Sequence, residues 1–185
     1  MSDFRFELTD GEKGYLKELV VQSIASGLGL GDGPSGPPAP PSDKLREHLG
    51  AFVTLKLHGR LRGCIGNVQG SGELYRTVWE MARSAAFRDP RFPALTEDEF
   101  PELEYEISIL SPIEPCPDPA LVEVGRHGLI MSRGMQSGLL LPQVPVEWHW
   151  NRETFLAQTC LKAGLPSNAW RDPDTSIFWF EAEVF

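Results

Sequence analysis

A strict alternation of apolar and polar side chains in the middle of the chain most constrains how it can fold. Four apolar residues fall on one face of an extended segment and four polar ones on the other: Leu103, Tyr105, Ile107 and Ile109, against Glu102, Glu104, Glu106 and Ser108. A period of two residues is typical of a β-strand with one buried and one solvated face. Such strands occur mainly in antiparallel sheets, so the segment predicts an antiparallel sheet with one covered face.

A β-hairpin is predicted earlier in the chain, over residues 51–68. Its strands are AFVTLKL and RLRGCIGNV, with His58-Gly59 at the turn. A two-residue loop would place the apolar sets of the two strands on opposite faces of the sheet. We therefore predict a three-residue loop that also includes Leu57, with Gly59 in the left-handed region and Cys64 on the more polar face. The apolar set that this loop aligns is Val53, Leu55, Leu57, Leu61, Gly63 and Ile65.

Helical periodicity supplies the elements that would cover this sheet. Thr9 and Glu12 have the spacing of a capping box before an apolar run, and residues 73–87 carry a buried stripe at helical spacing. Strands outnumber helices and hairpins dominate over βαβ units, so we predict an α+β fold with a mainly antiparallel β-sheet flanked by helices. We expect a single domain, residues 1–185, in which the Pro/Gly-rich segment 31–42 is a surface loop.

Charge and cysteine usage limit the function classes and the compartment. The net charge of −9 argues against nucleic-acid binding, whose usual footprint is a basic face, and against docking on an anionic membrane. Three cysteines, far apart and in no C-x-x-C pair, favour a reducing compartment. The first ten residues lack the apolar region of a secretory signal, and no apolar run approaches the roughly 18 residues of a membrane helix. We therefore expect a cytoplasmic protein.

No pattern in the chain requires a metal or an organic cofactor. The histidines and cysteines show no metal-ligand spacing. The phosphate-binding G-x-x-x-x-G-K-[ST] loop, a G-x-G-x-x-G after a strand and the G-x-S-x-G elbow are all absent from the sequence. The C-x-x-x-C-x-x-C cysteine run of a radical-SAM enzyme is absent too, so the chain is a partner of such an enzyme at most.

The segment Leu61–Gly66, LRGCIG, is the most unusual part of the chain. Glycines weaken a strand, so Gly63 and Gly66 indicate a bulge or a close approach of backbone or ligand. Between them, Cys64 lies two residues from Arg62, and a nearby cation favours the thiolate, which is the reactive form of cysteine. One interpretation is a nucleophilic or ligand-holding cysteine. The other is a small apolar side chain in a sheet that is covered on both faces.

Six motifs together resemble the AMMECR family, named for the chromosomal region linked to Alport syndrome, midface hypoplasia and elliptocytosis. They are FVTLKLHGRLRGCIG, AAFRDPRFPALT, LEYEISILSP, VGRHGLI, GLLLPQVPVEW and CLKAGLPSNAW, in the family's order and at similar spacing. The resemblance covers residues 51–185 and implies a main antiparallel sheet flanked by helices, with a smaller β-rich lobe. It implies no agreed activity. Through the family's prokaryotic members it implies Memo-like or radical-SAM proteins as partners in a shared pathway.

Two further candidate residues lie in the C-terminal half of the chain. His127 stands between Gly125 and Gly128, whose small size leaves an imidazole accessible. It acts as a general base or activates Cys64, or it is an ordinary loop histidine. Gln143 follows a predicted strand end and either binds a ligand or caps a turn.

Two charged residues complete the candidate site. Glu106 belongs to the polar face of its strand, where it forms an ion pair with Arg62 or Arg91 or is simply solvated. Arg91 lies in the motif DPRF between two prolines, and its five donors suit a carboxylate or a phosphate. The alternative for Arg91 is that it holds its loop to the sheet by bonding backbone carbonyls.

Two hypotheses of different class follow. In the first, the chain is an enzyme or enzyme subunit that acts on a small or modified substrate in a cleft around the LRGCIG strand. Cys64, His127 and Glu106 are then catalytic. The substrate-binding residues are Arg62, Arg91 and Gln143. In the second, the chain is a non-catalytic binding or scaffold module, and LRGCIG is mainly a packing motif. Convergence of these side chains on one pocket would favour the enzyme.

Overall fold

The computed structural model describes residues 7–31 and 33–185 and divides the chain into two compact units. The first unit contains the described residues up to Leu110 together with Glu183–Phe185, and the second contains Ser111–Ala182. The prediction that the chain has no secretory signal used the first ten residues, of which 1–6 lie outside the described residues. Asp32, in the predicted surface loop, also lies outside them.

The first unit is a three-stranded antiparallel sheet with two long helices. Its elements are α1 (Asp10–Leu28), β1 (Ala51–Leu57), β2 (Arg60–Asn67), α2 (Leu74–Phe87) and β3 (Leu103–Leu110). The strands lie in the order β2-β1-β3, so β2 forms an edge. Helix α2 packs on β1 and β2 and also on α1. On the far side of β3 the last residue, Phe185, exchanges two backbone hydrogen bonds of 2.9 and 3.1 Å with Ile107.

The alternation over β3 places its apolar side chains in the core as predicted. Ile107 lies opposite Val53 of β1, and both are fully buried. The capping box is also confirmed, because the Thr9 hydroxyl accepts from the Glu12 backbone while the Glu12 carboxylate accepts from the Thr9 backbone. Each of these two patterns spans only a few residues and is enough to predict its element, α1 or β3.

The predicted three-residue hairpin loop is wrong, and the correction explains an unusual arginine. The loop has two residues, His58 and Gly59, both with positive φ, as a tight hairpin turn requires. The register then shifts, because Leu61 pairs with Lys56 whereas Gly63 pairs with Leu55. Arg62 is the unpaired residue of this β-bulge. Because of the bulge, Gly63 and Ile65 face the core as predicted. Leu61 precedes the bulge and is exposed, although it was predicted to share their face.

The second unit is a β-rich layer covered by a helix. Its elements are β4 (Glu114–Pro115), β5 (His127–Arg133), β6 (Gln136–Leu140), α3 (Gln143–Glu147), α4 (Arg152–Lys162) and β7 (Ser176–Val184), of which the last two residues are counted with the first unit. The strands run antiparallel, with β5 between β6 and β7 and β4 on the other side of β7. Phe155, Leu156 and Cys160 of α4 form a core with Leu129 and Met131 of β5.

One sequence-based interpretation for this unit needs correction. His127 is not in a loop but is the first residue of β5. The mixed, mainly antiparallel α+β class is confirmed. Within the described ranges, no helix combines the length and the apolar character needed to cross a membrane.

Candidate functional site

The two glycines of LRGCIG are explained by packing. A Cβ atom on Gly63 would overlap the backbone carbonyl oxygen of Ala85 in α2. A Cβ atom on Gly66 would overlap the ring of Phe52, which lies opposite it on β1. The first glycine therefore lets α2 approach the sheet, and the second makes room for an aromatic ring beside Cys64.

The outward backbone groups of Cys64 are bonded by side chains instead of another strand. Asp89 Oδ2 accepts the Cys64 N–H at 2.9 Å, and Arg91 Nη2 donates to the Cys64 carbonyl at 3.2 Å. Because β2 is an edge strand, these two groups point away from β1 and would otherwise be open to another chain. The motif DPRF thus covers the sheet edge where the cysteine lies.

Asp89 and Arg91 form a two-pronged ion pair. Arg91 Nε donates to Asp89 Oδ1 at 2.9 Å and Nη2 donates to Oδ2 at 2.7 Å. Asp89 is only 4% exposed. The hydrogen bonds from the Arg91 guanidinium, with that from the Cys64 backbone, hold the pKa of the Asp89 carboxyl well below its usual range. The same pairing raises the pKa of Arg91. The carboxylate is therefore ionised at neutral pH and rigidly placed.

Arg62 forms a second tie between the sheet and the same loop. Its Nε and Nη2 donate to the two carboxylate oxygens of Glu99 at 2.8 and 2.9 Å. Nη1 donates to the Pro93 carbonyl at 3.0 Å, and Nη2 also donates to that of Ala94 at 3.3 Å. Hydrogen bonds from Arg62 lower the pKa of Glu99 from 4.5 to about 2. All three guanidinium nitrogens of this buried arginine are therefore engaged within the unit.

The thiol of Cys64 lies in a row of polar side chains across the three strands. Cys64 pairs with Thr54 of β1, and Thr54 in turn pairs with Glu106 of β3. The Thr54 hydroxyl donates to Cys64 Sγ at 3.2 Å. Glu106 Oε2 lies 3.8 Å from Lys56 Nζ. Cys64 itself is partly exposed, and its thiol is held in place by the hydrogen bond from Thr54.

His127 is constrained by its own surroundings in the second unit. It is 7% exposed, its Nδ1 accepts the backbone N–H of Glu123 at 3.0 Å, and its ring lies 4.4 Å from that of Trp179. Burial, with the neighbouring Arg126 guanidinium, lowers the pKa of His127. The imidazole is therefore neutral at pH 7, and the bond at Nδ1 leaves its proton on Nε2. Gln143 is the partly buried first residue of α3.

The candidate residues are thus distributed over both units. Cys64, Arg62, Arg91 and Glu106 belong to the first unit, where Arg91 bonds the cysteine backbone and Arg62 bonds Glu99. His127 and Gln143 belong to the second unit.

One interpretation paired Glu106 with Arg62 or Arg91, but other carboxylates form the ion pairs of these two arginines. Glu99 pairs with Arg62 and Asp89 pairs with Arg91. Sequence reasoning overlooked both acidic residues, and it overlooked Thr54. Glu99 had a readable signal, because Thr96 and Glu99 have the T-x-x-E spacing and the Thr96 N–H donates to the Glu99 carboxylate. Thr54 had none, because its role depends on strand register.

Metal ligation has no support in the described ranges. Over residues 7–31 and 33–185, no three or more histidine, cysteine or acidic side chains are grouped so as to hold a metal ion. The groups that the structure brings together around Cys64 are its thiol, the Thr54 hydroxyl and the ion pairs of Arg62 and Arg91.

An antiparallel sheet with helices on its apolar face and a thiol held at its edge strand defines a mixed α+β protein. The AMMECR1 family model matches residues 18–185, and the chain belongs to this family. Protein TK0174 of Thermococcus kodakarensis is 47% identical over 159 residues, which cover 80% of this chain and 78% of that protein. Protein PH0010 of Pyrococcus horikoshii is 42% identical over 190 residues, with coverages of 97% and 92%. The crystal structure of PH0010, an uncharacterised protein, is similar to this structure with a TM-score of 0.89, 40% identity and coverages of 97% and 93%.

Proposed function

We propose that this protein is an enzyme, or a subunit of one, whose reactive group is the Cys64 thiol and which acts on a small or modified substrate. One observation carries the proposal. The two outward backbone groups of Cys64 are held by the Asp89–Arg91 pair, while the Sγ of this partly exposed residue accepts a hydrogen bond from the Thr54 hydroxyl. A rigidly placed sulfur with a donor beside it suits a nucleophile, because the thiolate is the reactive form.

The other candidate residues take distinct roles in this proposal. The Arg91 side chain keeps 53% of its surface exposed, so it orients an anionic group of the substrate. Arg62 acts indirectly, since its donors hold the loop that carries Asp89. Glu106 is the carboxylate of the polar row and serves as base or orienting group. For His127 and Gln143, which belong to the second unit, the roles of base and of substrate-binding residue stay predictions.

The second candidate function is a non-catalytic binding or scaffold module. The packing roles of Gly63 and Gly66 favour it, because they give the LRGCIG motif a structural reason. Memo-like or radical-SAM proteins, known by family association, are its candidate partners. The two functions differ in one property, which is the intrinsic reactivity of Cys64.

A cytoplasmic location accompanies both functions in our proposal. Its support is the chemistry of the cysteines. Cys64, Cys116 and Cys160 are all free thiols. Free thiols persist in reducing compartments.

The test is the alkylation rate of Cys64 by iodoacetamide at pH 7, followed by mass spectrometry in native protein and in the same protein unfolded in urea. Cys116 is a poor reference, because burial raises its pKa. The unfolded chain supplies the reference instead. We expect native Cys64 to react several-fold faster than unfolded Cys64, since its sulfur is held in a fixed position beside a hydrogen-bond donor. A native Cys64 that stays inert until the protein unfolds would rule out the thiol enzyme and leave the binding module.

A second reagent tests the role of Arg91. Iodoacetate carries a negative charge, whereas iodoacetamide of similar size is neutral. If Arg91 orients anionic groups, the ratio of the iodoacetate rate to the iodoacetamide rate will be higher in native than in unfolded protein. Adding about 0.5 M salt should reduce that ratio, because an exposed charge is screened. An equal ratio in both states would remove Arg91 from substrate binding.

A further inference from the structure

We propose that Thr54 is a positioning residue that sets the reactivity of Cys64 by donating its hydroxyl hydrogen to the sulfur. The inference rests on the proposed thiol function and adds to it the group that activates the thiol. Thr54 is not part of the LRGCIG motif and lies ten residues from Cys64 in sequence. Its contribution depends on the register of two strands.

The pairing of β1 with β2 explains the short contact. Opposite residues in an antiparallel pair alternate between those that exchange backbone hydrogen bonds and those that do not. The N–H and C=O of Cys64 bond to Asp89 and Arg91, so Thr54 and Cys64 are a pair of the second kind. In such pairs the Cα atoms approach to about 4.5 Å and the side chains are closest. This closeness brings Thr54 Oγ1 to 3.2 Å from Cys64 Sγ.

Both partners of this hydrogen bond are held in place. Thr54 is 9% exposed and lies on the central strand, paired with Cys64 on one side and Glu106 on the other. A β-branched side chain has few χ1 rotamers, so the hydroxyl loses little freedom by pointing at the sulfur. Cys64 is anchored through its backbone. The donor is therefore organised before any substrate binds.

The chemistry of the step follows from the charge of the acceptor. On ionisation the Sγ–H bond breaks, the proton passes to solvent water and the electron pair stays on sulfur. The Thr54 O–H bond remains intact, and its hydrogen bond becomes charge-assisted. Such a bond is stronger to the thiolate than to the thiol, so it favours the thiolate. Thr54 is thus a fixed donor and does not transfer a proton.

Matched substitutions at position 54 test the inference. Thr54→Val keeps the shape of the side chain and removes the hydroxyl, whereas Thr54→Ser keeps the hydroxyl and removes a methyl group. We expect Thr54→Val to slow iodoacetamide alkylation of native Cys64 about tenfold, because the charge-assisted hydrogen bond to the sulfur is lost. Thr54→Ser should stay within about threefold of the unsubstituted protein, because its donor remains. Near-UV circular dichroism of each variant checks that the sheet is intact.

The outcomes separate this inference from the proposed function. If native Cys64 of the unsubstituted protein is no faster than unfolded Cys64, the thiol enzyme fails whatever the variants do. If native Cys64 is faster and Thr54→Val equals Thr54→Ser, the proposed function stands and the role of Thr54 is overturned. Should Thr54→Val fail to fold, Thr54→Ala and Thr54→Ser provide a second pair that differs only in the hydroxyl, with the same expected ratio.

Discussion

At the scale of single residues, the absence of a side chain at Gly63 determines how close a helix lies to the sheet. The carbonyl oxygen of Ala85 in α2 occupies the space where a Cβ atom at residue 63 would be. The obstacle is helix backbone, which cannot rotate away as a flexible side chain would. The position therefore excludes every residue except glycine, and the conformational freedom of glycine is incidental here.

We predict that Gly63→Ala lowers the free energy of unfolding by about 2 to 3 kcal/mol, because α2 or β2 must shift to admit the methyl group. Gly14→Ala is the matched control, since Gly14 is exposed in the second turn of α1 and a Cβ atom there meets nothing within 4 Å. That substitution should raise stability by about 0.5 to 1 kcal/mol through helix propensity. Urea unfolding of both variants measures the difference. Equal effects would contradict the packing account of Gly63.

At the scale of elements, the loop after α2 serves as the missing neighbour of an edge strand. Asp89 and Arg91 bond the backbone of Cys64, while Glu99 and two carbonyls bond the side chain of Arg62. The loop covers an edge that would otherwise be open to pairing with another chain. The bulge at Arg62 makes this possible, because it frees one residue of β2 to reach the loop.

We predict a pH-dependent effect of Glu99→Gln on stability. The pKa of Glu99 falls from 4.5 to about 2 on folding, so its contribution is complete above pH 5 and is lost as the pH falls toward 2. At pH 7 the variant should lose about 3 kcal/mol, because buried Arg62 is left without its counter-charge. The difference from the unsubstituted protein should narrow steadily between pH 5 and pH 2.

Glu97→Gln is the control for this experiment, because Glu97 is an exposed residue of the same loop. Its effect should be within about 0.5 kcal/mol at every pH, as for most surface substitutions. Urea titrations at a series of pH values measure both variants. A Glu99→Gln deficit that is the same at pH 3 as at pH 7 would show that the ion pair does not govern the loop.

At the scale of the whole molecule, two hydrophobic cores are built by different means. The first core is filled from α1, α2 and the sheet of β1, β2 and β3. The second is filled from α4 and β5, with three tryptophans packed against it: Trp150, Trp170 and Trp179. The single domain predicted for residues 1–185 stays a prediction. A substitution that affects only one of the two cores can test it.

We predict that Phe155→Ala lowers the stability of the second core by about 3 to 5 kcal/mol, because the fully buried ring leaves a cavity. Tryptophan fluorescence should report the loss, since three of the five tryptophans pack on this core. Leu161→Ala on the same helix is the control, because Leu161 is 51% exposed, and it should change stability by less than about 1 kcal/mol. Hydrogen exchange at the β1 amides of the Phe155→Ala variant then tests the single-domain prediction. If the chain unfolds as one cooperative domain, these amides should lose protection as well.

The amino-acid sequence by itself determined the elements that depend on near neighbours. The alternation of β3, the capping box of α1, the apolar stripe of α2 and the α+β class were all readable, because their periods span only a few residues. Family membership was readable for the same reason, since each motif is a short contiguous run. The sequence also drew attention to the segment LRGCIG, in which the reactive role of Cys64 stays a prediction.

Only the tertiary structure decided which groups surround Cys64. Arg62 and Glu99 are 37 residues apart, and Thr54 and Cys64 are ten apart, so their contacts depend on a bulge and a register. The hairpin shows the reason most clearly. A three-residue loop would align the apolar side chains of the two strands, and so does a two-residue loop followed by a bulge for Gly63 and Ile65. The structure has the two-residue loop, with the bulge at Arg62. Local patterns specify strands, whereas the partners of a charged side chain are set by the folded chain as a whole.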